Sequence, residues 1–417
     1  MFHLRKYSKS IGPGVITGAS DDDPSGVITY SQTGAQFGYH FLWLALFTTP
    51  LMMAVQEMSA RLGLVTRQGL GRLIRHHVSR RVALGLALGL LIVNTVNIGA
   101  DLSAMAAVTR LILPGPQVLY LLLFAALILV LEITVTYARY VNVLKWLTLA
   151  LFSYVAVAFV THQDWISALR HTVLPSFTGG WSSWYLITAI LGTTISPYLF
   201  FWQASEEVEE LTVLQRMQHA MRTDVPRRLR AMRRDTALGM VFSNVVMFFI
   251  ILATASTLHQ AGVTDITSAE QAAEALRPLA GSSAFLLFAL GIIGTGLLAV
   301  PVLAGSAAYA LADVFGWPEG LGKTFRQAPA FYVTIGAAIL VGGLASLTGF
   351  GAVQLLIWAA VLNGLLAPVV LWYINRLAAS RRVVGSYTSP PVVRWGGWLT
   401  WGLMTFAGSL TIIQFFR

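Results

Sequence analysis

Three consecutive acids, Asp21, Asp22 and Asp23, run directly into Pro24, Ser25 and Gly26, between two apolar stretches (11–19 and 27–37) that are each too short to cross a bilayer alone. Joined, the stretches make one span with carboxylates near its middle. A carboxylate at that depth costs about 2.5–3.5 kcal/mol on insertion scales, so three in succession demand a compensating cation or water. Pro24 removes a backbone donor and Gly26 relaxes the chain, so the carbonyls from Ala19 to Asp22 lose helical partners and can face an ion. The end of the first half-helix adds partial negative charge. The same punctuation recurs at Gly192, Thr193, Thr194, Ser196 and Pro197. Two such ends with Asp side chains make an oxygen-lined pocket suited to a metal cation. In a surface loop, by contrast, the acids would need no partner, and the second break would be a plain proline kink.

The elements that must hold these breaks follow from composition. The chain has 417 residues, 56% of them hydrophobic and 11% charged, whereas soluble domains run nearer a quarter charged. Apolar windows long enough for roughly 30 Å of hydrocarbon recur near 11–37, 41–62, 82–112, 117–137, 140–162, 184–206, 235–258, 284–313, 329–347, 353–374 and 396–416. An all-α integral membrane protein of about eleven spans is expected, with lipid as its solvent.

The formal charge of +10 would suggest nucleic acid in a soluble protein. Here the basic residues cluster in alternate gaps, 67–81, 139–145, 216–234, 323–326 and 376–394, and report topology instead. With residues 1–10 cytoplasmic, all these gaps are internal, as the positive-inside rule requires; the gap at 259–283, with Asp265, Glu270 and Glu274, falls outside. No cleavage site follows Arg5, Lys6 and Lys9, so the first segment reads as a span and not a signal peptide. The absence of cysteine removes disulfides, thiolate metal sites and cysteine nucleophiles. No nucleophile, base or metal triad for an enzyme stands within the spans, and no cofactor is implied.

The two broken spans, first and sixth, stand five apart. An odd offset reverses the direction of crossing, so 11–162 and 184–374 form inverted repeats whose broken helices meet at a central site, and 396–416 is an added eleventh helix.

These residues resemble the Nramp family of divalent-metal transporters, which has a LeuT-like fold of two inverted five-helix repeats. The likeness rests on GPGVITGASDDDPSG in the first span, QEMSARLGLVT at 56–66 and NIGADLSAMAAV at 97–108, with weaker support from TTISPYLFFWQAS and from DTALGMVFSNVVMFF, which begins at Asp235. The family's first-helix motif is Asp-Pro-Gly-Asn, with acid and amide as ligands; Asp23-Pro24-Ser25-Gly26 keeps the acid and loses the amide. In the sixth span the family has Ala and then Met-Pro-His, where this chain has Thr193 and Ser196-Pro197-Tyr198. Replacing a thioether by a hydroxyl shifts preference toward hard ions such as Mg2+, which keeps several waters. The family's proton route is depleted too: its sixth-span histidines are Tyr198 and Gln203, and in the third span Asp101 remains while the next acid is Ala104.

The resemblance is closest to the Nramp-related magnesium transporter branch. It implies inward movement of hydrated Mg2+ or Mn2+ by alternating access across a bacterial inner membrane. Asp23 is the direct or water-mediated ligand, and Asp22 and Asp21 raise the negative field or bind through water. Ser25, Thr193 and Ser196 offer oxygens, and the backbone at Ala19, Gly26 and Gly192 completes the shell. Asp101, Tyr198 and Gln203 stand as ion-path positions, and Asp101 reads equally as a hydrogen-bonded packing residue. A proton-coupled Mn2+/Fe2+ transporter and a sodium-coupled small-solute symporter are the alternatives. Glu57 and Arg61 read as a structural pair at i,i+4, and Glu206, Glu207, Glu209 and Glu210 as a solvated helix end.

Overall fold

The computed structural model describes residues 12–135, 143, 146–161, 163–178, 180–217, 224–266, 268–347 and 352–415. The amino-terminal segment 1–10 and the basic gap at 139–145, save Val143, lie outside the described residues, as does Arg222. Each of the eleven apolar windows contains a helix.

The first span is two half-helices, α1 (Pro13–Asp21) and α2 (Pro24–Phe37). Its break follows from local sterics: the residue before a proline is pushed out of the helical region, and Asp23 is extended at φ −67°, ψ 167°. At Gly38, where φ is +59°, the chain turns, and α3 (Trp43–Thr66) leaves at 105° to α2. A short helix α4 (Leu70–His77) precedes α5 (Arg80–Ile112), the third span, and α6 (Gln117–Thr134), the fourth. Next come α7 (Phe152–Val160) and α8 (Trp165–Val173). The sixth span repeats the break as α9 (Trp181–Thr194) and α10 (Pro197–Met217), with Ile195 at φ −116°, ψ 54° and Pro197 opening the second half. Then follow α11 (Val225–Thr254), α12 (Ala269–Phe315), divided at Gly281 by a φ of +85°, and α13 (Pro329–Ala345). The chain ends in α14 (Ala352–Ala379), α15 (Arg381–Val384) and α16 (Pro391–Phe415).

Six described helices are long and apolar enough to cross a membrane individually. Three of the five windows that fall short do so for structural reasons. The first span is halved by its break, α13 has 17 residues, and the fifth window is described mainly over 148–160. Large apolar side chains face outward, Ile92 being 61% exposed and Phe159 67%, while carboxylates and amides lie inside; this inversion of the soluble pattern is what a hydrocarbon solvent selects.

Packing shows the inverted repeat. The second half-helix of the first span, α2, lies on α11 of the seventh, and the second half-helix of the sixth, α10, lies on α3 of the second. Exchanging spans 1 with 6 and 2 with 7 converts one contact into the other. The α3–α11 and α5–α12 contacts map onto themselves, and α5–α6 maps onto α12–α13. The fold is the LeuT-like, all-α inverted 5+5 arrangement.

The ends are tied by polar contacts. Glu57 accepts from Arg61 at 2.5 Å and from Arg233 of α11 at 2.7 Å, so the i,i+4 pair also joins two spans. Asp235 of α11 accepts from the backbone N–H groups of Gly12 (2.9 Å) and Gly14 (2.6 Å), satisfying donors left open at the start of α1. Glu206 and Glu207 are 2% and 3% exposed and are enclosed by neighbouring helices, so these two are not part of a solvated helix end, whereas Glu209 and Glu210 are half-buried.

Arg72 of α4 faces Asp313 at 3.5 Å and Glu319 at 2.9 Å. One guanidinium balances one carboxylate, and burial together with the Asp313 charge pushes the loop residue Glu319 up to about 9. A carboxyl whose folded value is raised contributes stability that is complete below its ordinary value and is lost as the pH climbs through the folded one. Melting temperatures of the detergent-solubilised protein should therefore fall between pH 6 and 9.5, and Glu319→Gln, which stays neutral, should flatten that fall. Identical declines in the two proteins would remove Glu319 as its source.

Candidate cation site

The breaks of the first and sixth spans adjoin each other. A Cβ built on Gly26 would lie 3.0 Å from Thr193 Oγ1, 3.3 Å from the Asp21 carbonyl oxygen and 3.3 Å from Asp23 Oδ1. Three oxygens on two chain segments thus converge beside the glycine, where an added methyl would press on each of them.

Asp23 caps α2. Its Oδ1 accepts from the Gly26 N–H at 2.7 Å and the Ser25 hydroxyl at 2.8 Å, and its Oδ2 accepts from Asn97 Nδ2 of α5 at 2.6 Å. The three acids do not face one way. The chain leaves the helix after Asp21 and is extended at Asp23, and Asp21 turns to α11, where Ser243 donates to its Oδ2 at 2.8 Å. Asp22 is fully buried, and neither of its oxygens has a hydrogen-bond partner. Asp101, one turn beyond Asn97 on α5, is also fully buried with both oxygens unpartnered, and it is close enough to Asp23 and the Ser25 backbone to interact electrostatically with them.

In the sixth span, the Ser196 hydroxyl donates to the Gly192 and Thr193 carbonyls, each at 2.7 Å. Tyr198 donates to the Ser20 carbonyl at 2.9 Å, tying the second half of this span to the end of α1. Gln203 donates to Thr236 Oγ1 at 2.8 Å. Ala19 is fully buried in α1. Of the residues expected from sequence, Asp23, Ser25, Gly26 and Thr193 come together; Ser196 and Gly192 are bonded to each other beside them, Asp101 lies across from Asp23, and Asp21 faces away. Sequence reasoning missed Asn97 and Ser243. Asn97 carried a usable signal, because it precedes Asp101 by four residues and so shares its helix face.

Asp21, Asp22, Asp23 and Asp101 are at most 1% exposed. Among the described residues, ion pairs join Arg61 and Arg233 to Glu57, Arg72 to Asp313 and Glu319, and Arg110 to Glu270; none reaches these four. No group of three or more acids or histidines among the described residues has metal-holding geometry by itself. The oxygens that meet at the breaks are those of a carboxylate, a hydroxyl and a backbone carbonyl.

Paired helix breaks with buried, uncompensated carboxylates, set in an inverted repeat, define a membrane transporter of the broken-helix class and not an enzyme. The family model described as natural resistance-associated macrophage protein-like matches residues 14–414, and the chain belongs to this Nramp family. It is 26% identical over 393 residues to the divalent metal cation transporter MntH of Verminephrobacter eiseniae, covering 90% of this chain and 82% of that protein. It is 25% identical over 406 residues to the MntH of Aeromonas hydrophila, covering 94% and 92%. Among solved structures, the Eremococcus coleocola manganese transporter bound to an aromatic bis-isothiourea substituted compound superposes with a TM-score of 0.77 at 18% identity, over 96% of this chain and 85% of that one. A Na+-coupled sialic acid symporter shares the fold at 0.61 and 11% identity, over 96% and 89%.

Proposed function

We propose that this chain carries a divalent cation, Mg2+ or Mn2+, inward across a bacterial inner membrane by alternating access, with its amino terminus cytoplasmic. The observation that carries the reading is the set of four enclosed carboxylates, approached by none of the described ion-pairing arginines, beside two helix breaks. A charge enclosed without a partner is the arrangement a bound cation relieves. The relatives named as divalent metal cation transporters support the cargo class. A bulky organic solute suits the gap poorly, since even a methyl group at Gly26 would touch Thr193.

Asp23 is the principal ligand, with Ser25, Thr193, Ser196 and the carbonyls near Gly192 and Asp21 around it. Residues 11–162 and 184–374 act as the two repeats and 396–416 as an addition, and transport is the rocking of one helix bundle against the other about the breaks. A cavity of about 220 Å3 lined by Arg67, Arg72, Glu209, Tyr309 and Lys323 is the inner exit. Tyr198 and Gln203, which stand where the family has histidines, are bonded to Ser20 and Thr236, and on this reading transport runs without proton coupling.

Uptake by proteoliposomes of Mg2+, Mn2+ and Ca2+, with internal pH recorded, tests the proposal. Mg2+ or Mn2+ entry without acidification is expected; rates equal to those of protein-free liposomes would overturn it. Selectivity has its own test. Ser196→Met returns a polarizable sulfur to the break and frees the Gly192 and Thr193 carbonyls, so the Mn2+ to Mg2+ preference should rise about tenfold. An unchanged ratio in competition assays would take Ser196 out of the shell.

A further inference from the structure

We propose that Asn97 of α5 supplies the amide oxygen of the cation shell, taking over from the third span the ligand that the first helix lacks at Gly26. The inference rests on the cation reading above and assigns one more residue to that site.

Four observations carry it. Gly26 offers no side chain where Thr193 Oγ1, the Asp21 carbonyl and Asp23 Oδ1 converge. Asn97 approaches the same carboxylate from the opposite side, with Nδ2 2.6 Å from Asp23 Oδ2. That contact settles which way the amide points, because an ionised carboxylate only accepts and the NH2 end must face it. The amide oxygen is then left over: Asn97 is 1% exposed, and its Oδ1 has no hydrogen-bond partner.

Covalent geometry limits where that oxygen lies. Within an amide the oxygen and nitrogen are about 2.2 Å apart, so Oδ1 lies within about 5 Å of Asp23 Oδ2. Two oxygens on one Mg2+-sized ion are separated by at most about 4.2 Å, twice the bond length, so a small rotation of the amide lets one ion touch both. Asp101, four residues on, presents two further unpartnered oxygens from the same helix face. An amide placed only to orient Asp23 or to join helices would have no reason to keep its carbonyl enclosed and unbonded.

Two variants separate the roles. Asn97→Ala removes both donor and oxygen; Asn97→Asp keeps an oxygen and loses the donor. With the purified full-length protein, Mn2+ affinity from the free-ion EPR signal and proteoliposome KM should weaken at least tenfold in Asn97→Ala, with kcat within threefold. Asn97→Asp, which keeps an oxygen ligand, should bind Mn2+ at least fivefold more tightly than Asn97→Ala. An effect below twofold in Asn97→Ala, or Asn97→Asp as weak as Asn97→Ala, overturns the proposal. A measurement that needs no variant to fold is electron-nuclear double resonance on the Mn2+-loaded protein with asparagine 13C-labelled at the side-chain carbonyl. A resolved 13C coupling is expected, and its absence overturns the assignment. Loss of Mn2+ binding in Asp23→Ala but not in Asn97→Ala sinks this inference alone, whereas an unaltered protein that binds no divalent ion sinks the transport reading with it.

Discussion

Asp23→Asn is expected to reduce divalent-cation transport efficiency at least a hundredfold while leaving the empty protein as stable as before or more so. The two halves of that expectation have one origin. Asp23 has two duties: it caps α2 through Ser25 and Gly26, and it presents a negative charge to the gap between the breaks. Asparagine caps a helix about as well as aspartate, whereas alanine costs about 1 kcal/mol in that role. The amide variant therefore keeps the break and removes the charge. A hundredfold loss corresponds to about 2.7 kcal/mol, a modest share of what a carboxylate contributes to a cation in an enclosed site. Without metal the enclosed carboxylate is a liability, so neutralising it should not lower the melting temperature. Added Mn2+ should raise the melting temperature of the unaltered protein and leave Asp23→Asn where it was. Asp23→Ala should lose transport as well, with a lower melting point from the missing cap. Full-rate uptake by either variant would move the cation site away from the first break.

The breaks were legible because their causes are local. A proline constrains the residue before it whatever surrounds the pair, so Asp23 and Ser196 could be placed at helix interruptions from the order of residues alone. The family's missing amide was legible for the same reason. What could not be read was direction. As a string, Asp21, Asp22 and Asp23 are one acidic cluster; set across the break between α1 and α2 they diverge, one meeting Ser243 on the seventh span and another meeting Asn97 on the third. Asn97 and Ser243 are 74 and 222 residues from the acids they touch, and nothing in either neighbourhood announces the partner. Glu206 and Glu207 failed for a related reason: four acids among five residues suggest water, but enclosure is decided by helices from elsewhere in the chain. Hydropathy thus located the spans, and tertiary packing chose which polar groups would meet between them.

Gly18→Ala should be among the most damaging single-methyl changes available in this chain. A Cβ at Gly18 would lie 2.2 Å from the Gly239 carbonyl oxygen and 2.3 Å from its carbon, and one at Gly239 would lie 2.1 Å from the Gly14 carbonyl oxygen. The half-helix α1 and α11 are therefore in backbone contact, the close approach that small residues permit between membrane helices. A side chain in the way could rotate, but a helical carbonyl cannot. Relief requires the helices to separate, at a cost of order 3 kcal/mol, the upper end for overpacking. Separation has a functional direction, since α1 is also held by Asp235 at Gly12 and Gly14. Moving it away from α11 would open the end of the site that the proposed orientation, with a cytoplasmic amino terminus, makes internal. The chain has no cysteine, so Thr17→Cys, at a fully buried position on α1, is a clean reporter. Combined with Gly18→Ala it should react faster with a membrane-impermeant thiol reagent in inside-out vesicles than Thr17→Cys alone, and the protein should melt at a lower temperature. Equal labelling and equal melting would mean that α1 absorbs the methyl without moving, and the tight seam would then have no part in gating.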